Sequence, residues 1–207
     1  MDFKLKSAEE LFPLPLMQFE VENAVQLNRA LMKEIAERRA GEEGLAKSNR
    51  YGWHSAPDLF ERKEAAHSKL ARMLLRMMAE TTRQFAPKTD FANLELVPDG
   101  WINVNPKGAY NSPHDHPGCF WSGVYYVQLP KDAGEAAAIE FLSPHEVLPH
   151  GGIFQSVITA DKRRVRPSAG TVLIFPSQLM HWVHPNESEE DRITVAFNGR
   201  FRAKRRS

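Results

Sequence analysis

The chain has 207 residues, 42% hydrophobic and 26% charged, and its 27 Lys and Arg against 26 Asp and Glu leave a formal charge of +1. No apolar run approaches the roughly 18 residues that cross a bilayer, Glu9 and Glu10 stand where a secretory leader needs its hydrophobic stretch, and the near-zero charge gives no general pull toward nucleic acid or anionic membrane. A soluble, cytoplasmic protein is therefore expected, and its single cysteine, Cys119, excludes both an internal disulfide and any metal site built on two thiolates.

The length fits one domain, 1–207, whose texture changes near residue 90. The first part, 1–90, reads as a helical support region. From Asn23, a candidate N-cap, Leu27, Leu31 and Ile35 recur every four residues with charge on the other face, and Gly41 and Gly44 supply the stop. A second helix is expected from Glu61 to Phe85, with Leu70, Leu74, Met77 and Thr81 on one face and Pro87 limiting its end. The segment between them, Ser48 to Phe60, reads as an ordered loop in which Trp53 is a core plug before it is a substrate contact.

The second part, 91–203, reads as a β-barrel core. Candidate strands are Leu94–Val97, Trp101–Asn105, Tyr110–His116, Trp121–Leu129, Ala138–Leu142, Thr171–Phe175 and Ile193–Phe201, punctuated by Gly, Pro, Asn and Asp. Many short strands without intervening helices predict an antiparallel sandwich or barrel, mainly β with flanking helices, those helices packing on one outer sheet face. Ser143 to Pro167, with three prolines and the basic cluster Lys162, Arg163, Arg164 and Arg166, fits an irregular insertion near the barrel mouth. The tail from Arg200 to Ser207, five basic residues in eight, reads as a solvated end.

Histidines carry the chemical signal. In Tyr110-Asn-Ser-Pro-His-Asp-His-Pro-Gly118, His114 and His116 are two apart, so on an extended strand both project from one face while Asp115 points away. That suits two ligands on one metal. His181, where an apolar strand turns through Pro176, is the third candidate, and His184 competes with it.

These residues resemble a known family. His114-x-His116-Pro117, Trp121 to Val127, Gly170 to Ser177 with His181 and Val183, and Arg192-Ile193-Thr194 with Phe197-Asn198 are similar to the iron(II)/2-oxoglutarate-dependent oxygenases. The likeness is to a bacterial and phage branch opening with a Leu-Phe-Pro-x-Pro-like segment, as Leu11 to Pro15 does, and it extends to Asn49, Gly52, Trp53 and Ser55. It implies a double-stranded β-helix, a jelly-roll or cupin-like barrel, with iron(II) near one open end and 2-oxoglutarate as cosubstrate.

One departure matters. The wider family binds iron through two histidines and a carboxylate, the carboxylate two residues after the first histidine; here that position is His116. Three neutral imidazoles, His114, His116 and His181, are the preferred set. A bulge rotating Asp115 inward stays open, as does a halogenase-like arrangement with His116 first and Gly118 in the carboxylate slot. For the distal carboxylate of 2-oxoglutarate the resemblance supplies Arg192, eleven residues after His181, with the Thr194 hydroxyl beside it. Asn103, Tyr110 and Tyr126, on expected inner strands, are candidates for the cosubstrate's other end. The implied reaction is an oxygenation, hydroxylation by default, of a small molecule or an amino-acid or protein side chain. The competing class is a cupin-like barrel holding zinc or a small ligand without oxidative turnover. Oligomeric state is not encoded in any pattern of the chain.

Overall fold

The computed structural model describes residues 4–7, 12–131, 138–145 and 160–204. In chain order these hold β1 (Met17–Glu20), α1 (Ala24–Gly41), β2 (Asn49–Arg50), β3 (Trp53–His54), a 3-10 turn (Leu59–Glu61), α2 (Ala65–Phe85), β4 (Leu94–Asn105), β5 (Tyr110–His114), β6 (Trp121–Gln128), β7 (Ile139–Leu142), β8 (Lys162–Val165), β9 (Thr171–Pro176), β10 (His181–Val183) and β11 (Arg192–Ala203). Among the described residues, no helix is long and apolar enough to cross a membrane.

The strands form two antiparallel sheets, β1-β9-β6-β11-β4-β3 and β2-β5-β10-β7-β8. Alternation along the larger sheet sorts its side chains into two cores. Ile102, Val104, Tyr125, Val172, Ile174, Val195 and Phe197 point outward and meet Leu27, Leu31 and Ile35 of α1 and Leu70, Leu74 and Met78 of α2. Val124, Tyr126, Leu173 and Phe175 point inward and meet Ile139 and Phe141 of the smaller sheet. The helices thus cover one outer face and leave the space between the sheets to the site. Gly123 lets this happen, because a Cβ there would stand 2.3 Å from the Phe197 ring and 2.7 Å from the Leu173 carbonyl.

The two helices are tied by one carboxylate. Glu34 of α1 accepts from the Ala66 and His67 amides at 2.9 and 3.0 Å and lies 2.6 Å from His67 Nδ1, so it satisfies donors that the first turn of α2 leaves open. Burial works against its charge, but the bonds from Ala66 and His67 outweigh it and hold the carboxyl below its usual range. With the folded pKa depressed, this contribution is present above the unfolded value near 4.3 and is lost as pH falls through the folded one. Glu34→Ala is expected to cost about 1–2 kcal/mol, with a smaller cost below pH 4, as read from denaturation midpoints.

Several expectations are corrected by the structure. Leu94–Val97 and Trp101–Asn105 are one strand, because β11 pairs with β4 without interruption from Arg192↔Asn105 to Ala203↔Leu94. Pro98 is accommodated because β3 covers the other edge of β4 only at Asn103 and Val104, leaving Pro98 on an edge. The strand read as Tyr110–His116 ends at His114, and His181–Val183, expected as a turn, is a strand. Asn23 precedes α1, but with φ 57° and no side-chain cap bond. Part of the basic cluster is not irregular: Lys162–Val165 pairs with β7 as an edge strand, where outward charge discourages further pairing. The middle of the expected insertion, 146–159, the Leu11 end of the opening motif and the last three tail residues lie outside the described residues.

Candidate metal centre and cosubstrate pocket

The two sheets meet around three imidazoles. His114 ends β5 and His181 opens β10, directly opposite each other in the ladder. His116 follows two residues later on a turn whose amide and carbonyl are held by Ser177 O and Cys119 N at 3.0 and 3.3 Å. Ring centroids lie 4.4 Å (His114 to His181), 5.0 Å (His114 to His116) and 5.3 Å (His116 to His181) apart, and one nitrogen from each falls within 4.8 Å of the others. Asp115 is exposed and lies outside this cluster, and Gly118 takes a φ of 80° on the exposed turn.

The tautomers follow from the backbone. His114 Nδ1 donates to Ser112 O at 2.7 Å and His181 Nδ1 to Leu179 O at 2.8 Å; a carbonyl only accepts, so in both rings Nε2 keeps its lone pair. Burial, then the neighbouring His114, pulls His181 down to about 3 and His116 to about 4, and burial lowers His114 as well. Near neutral pH the cluster is three uncharged nitrogen donors, a set that suits iron(II) or zinc.

The same cavity reaches a buried cation. Its lining includes His114, His116, His181, Asn103, Arg192 and Thr194, with Val124, Ile139, Phe175 and Val183 as apolar walls. Arg192 is 2% exposed, donates to Thr194 Oγ1 at 3.4 Å and stands 5.4 Å from the centroid of the Tyr126 ring, while burial lowers its proton affinity. Tyr126 backs the guanidinium, its hydroxyl pushed up to about 12 by burial. Asn103 turns into the cavity, and its Oδ1 is buried without a hydrogen-bond partner among the described residues. Neither Tyr110 nor Tyr126 is among the residues that line this cavity. His184 is not among the lining residues; its ring lies tilted against Trp182, centroids 3.9 Å apart, and 3.4 Å from Glu140. Trp53 donates to Glu42 O at 2.9 Å and packs in the helical core.

Three lining residues carried no signal in the chain. Ser48 places its Oγ 3.4 Å from His114 Nε2; Asn111 bonds Asn105 at 3.0 Å; Trp101 lies between His54, stacked at 5.4 Å, and His116 at 5.6 Å. Each arrives through strand pairing, of β2 with β5 or of β3 with β4.

Residues 99–198, which contain all three histidines and Arg192, match the family model described as "Putative 2OG-Fe(II) oxygenase". This stretch is similar to the 2OG-Fe(II) oxygenases. Iron(II) and 2-oxoglutarate are the metal and cosubstrate of that family, and the donor set described above fits the metal. No curated protein matches the chain. Among solved structures, a Pseudomonas putida prolyl-4-hydroxylase is similar at TM-score 0.64 and 17% identity, over 89% of this chain and 91% of that one. The α-ketoglutarate-dependent epimerase SnoN from nogalamycin biosynthesis gives 0.65 and 13%, over 92% and 79%. HygX from Streptomyces hygroscopicus, with nickel, 2-oxoglutarate and hygromycin B bound, gives 0.59 and 14%, over 89% and 82%. At these identities the likeness is one of fold, a double-stranded β-helix shared by this chain and its neighbours.

Proposed function

We propose that this oxygenase holds iron(II) through His114, His116 and His181, holds the distal carboxylate of 2-oxoglutarate through Arg192 and Thr194, and hydroxylates a C–H bond of a small molecule or an amino-acid side chain. The observation that carries this reading is that one cavity is lined at once by the three imidazoles and by a buried guanidinium. Bound there, metal and cosubstrate supply activation of O2, with 2-oxoglutarate converted to succinate and CO2 and one oxygen atom inserted into the substrate.

The chain's own residues have distinct tasks. The Ser112 and Leu179 carbonyls fix two of the imidazoles with Nε2 lone pairs facing the cluster. Arg192 offers a permanently charged fork to a carboxylate, and Thr194 adds a hydroxyl. The free Oδ1 of Asn103 can accept a hydrogen bond from a bound ligand or water in the cavity. Val124, Ile139, Phe175 and Val183 keep water from the reacting end. The helices α1 and α2 serve as support, since they pack on the sheet face away from the cavity.

A cupin-like zinc or small-ligand barrel without turnover is the less favoured reading, because it assigns no task to Arg192. The test is titration of anaerobic iron(II)-loaded protein with 2-oxoglutarate, read from the visible charge-transfer band that chelation produces. Saturable appearance of the band is the expected result. Its absence at millimolar cosubstrate overturns the proposal.

A further inference from the structure

Inward-facing side chains of the larger sheet fall into successive rows, each crossing β6, β11 and β4. Tyr126, Thr194 and Asn103 form the row nearest Arg192; Val124, Ala196 and Trp101 come next; Ser122, Asn198 and Asp99 follow, paired as Ser122↔Asn198 and Asn198↔Asp99. This last row is a directional chain. Ser122 Oγ donates to Asn198 Oδ1 at 2.8 Å, and Asn198 Nδ2 donates to Asp99 Oδ1 at 3.0 Å. The other Asp99 oxygen accepts from Nη2 of Arg200, the next inward residue of β11. Exposure rises along the same path: Ser122 is 1% exposed, Asn198 6%, the Asp99 side chain 24% and that of Arg200 51%. The row therefore leads from the cavity wall to solvent. Ser122 lines the cavity that holds the three imidazoles, and Trp101, in the adjoining row, lies 5.6 Å from the His116 ring.

If Arg192 takes the far end of the cosubstrate, the reacting carbon of the substrate must come from this open side. What it meets there is a carboxylate and a guanidinium held next to each other. Asp99 keeps lone pairs on both oxygens, and Arg200 gives it one of its nitrogens, so each still has bonding capacity. Resting on the oxygenase reading above, we infer that Asp99 and Arg200, braced by Asn198 and Ser122, form the subsite that reads the substrate, and that the substrate is a small zwitterion whose ammonium group meets Asp99 and whose carboxylate meets Arg200. A free α-amino acid is the simplest such molecule. Trp101, stacked on His54, and Val124 then form the apolar floor between this charged clamp and the cosubstrate end. A side chain lying on that floor is carried toward the three imidazoles.

The test is anaerobic calorimetry on protein loaded with iron(II) and 2-oxoglutarate, using the twenty free amino acids as probes, each beside its N-acetyl and carboxamide counterparts. At least one free amino acid should bind saturably, and each blocked counterpart should bind about ten-fold to a hundred-fold more weakly, the scale of one charge-assisted hydrogen bond. Arg200→Met should remove the preference over the carboxamide, and Asp99→Asn the preference over the N-acetyl form, while both variants keep the 2-oxoglutarate band. Equal binding of a blocked form, or no binding of any amino acid by protein that shows the band, overturns the inference and leaves the oxygenase standing. Absence of the band in the wild type removes the oxygenase reading and this inference together.

Discussion

His181→Ala is expected to abolish stoichiometric iron(II) binding while the folded protein persists. Three nitrogens converge within 4.8 Å, and His181 is the most buried of the three residues, so its loss leaves only two donors. Changing residues that merely orient a ligand lowers metal affinity roughly ten-fold to a hundred-fold; loss of the ligand itself should exceed that range. His114→Ala and His116→Ala should behave alike. Asp115→Ala is the control: its side chain is exposed and outside the cluster, so metal content should be unchanged and stability altered by no more than about 0.5 kcal/mol. Iron content after anaerobic loading and desalting, with circular dichroism to confirm folding, reads the outcome. Retained iron in His116→Ala together with loss in Asp115→Ala would return the centre to two histidines and a carboxylate.

Arg192→Met separates the metal from the cosubstrate. Methionine keeps an extended apolar side chain in a position only 2% exposed, so the surrounding packing changes little while the charge disappears. Iron(II) binding should survive, because Arg192 is not in the imidazole cluster. Binding of 2-oxoglutarate should weaken by about 2–4 kcal/mol, the scale for breaking a desolvated, hydrogen-bonded charge pair. That is roughly thirty-fold to a thousand-fold in Kd. The charge-transfer titration used for the wild type measures it. Equal affinity in both proteins would show that some other group holds the distal carboxylate.

Much of the fold was legible because its signals are local. The four-residue recurrence of Leu27, Leu31 and Ile35 and the apolar runs of β6 and β9 carry their own periodicity. The His-x-His pair was legible for a partly different reason than expected, since β5 ends at His114 and the following turn brings His116 in. The strand around Tyr110 shows why alternation alone does not fix which side chains line the cavity. Strict alternation back from His114 puts Tyr110 on the ligand face, but the register slips between His181↔His114 and Val183↔Asn111, and this bulge turns Asn111 into the cavity instead. Ser48 and Trp101 were invisible as site residues because their membership depends on which strands pair. The row from Asp99 to Ser122 joins positions that are neighbours only after β4, β11 and β6 have found one register.

That separation along the chain has a consequence for how the protein lives with its metal. His114 and His181 are 67 residues apart in sequence, and they meet only when the three-residue strand β10 is laid between β5 and β7. Closing so long a segment is an entropic cost met late in folding, so the complete ligand set cannot form on the nascent chain. A metal that binds only the assembled site draws the folding equilibrium toward it, by about 2.7 kcal/mol when free metal stands a hundred-fold above Kd. The gain falls unevenly over the molecule. The twelve-residue β4–β11 ladder is fastened along its whole length whether or not metal is present, whereas β10 is short and its first residue is itself one of the three imidazoles. Iron scarcity would therefore be felt first as fraying of the smaller sheet, exposing β10 to proteases and chaperones while the helices and the larger sheet stay native.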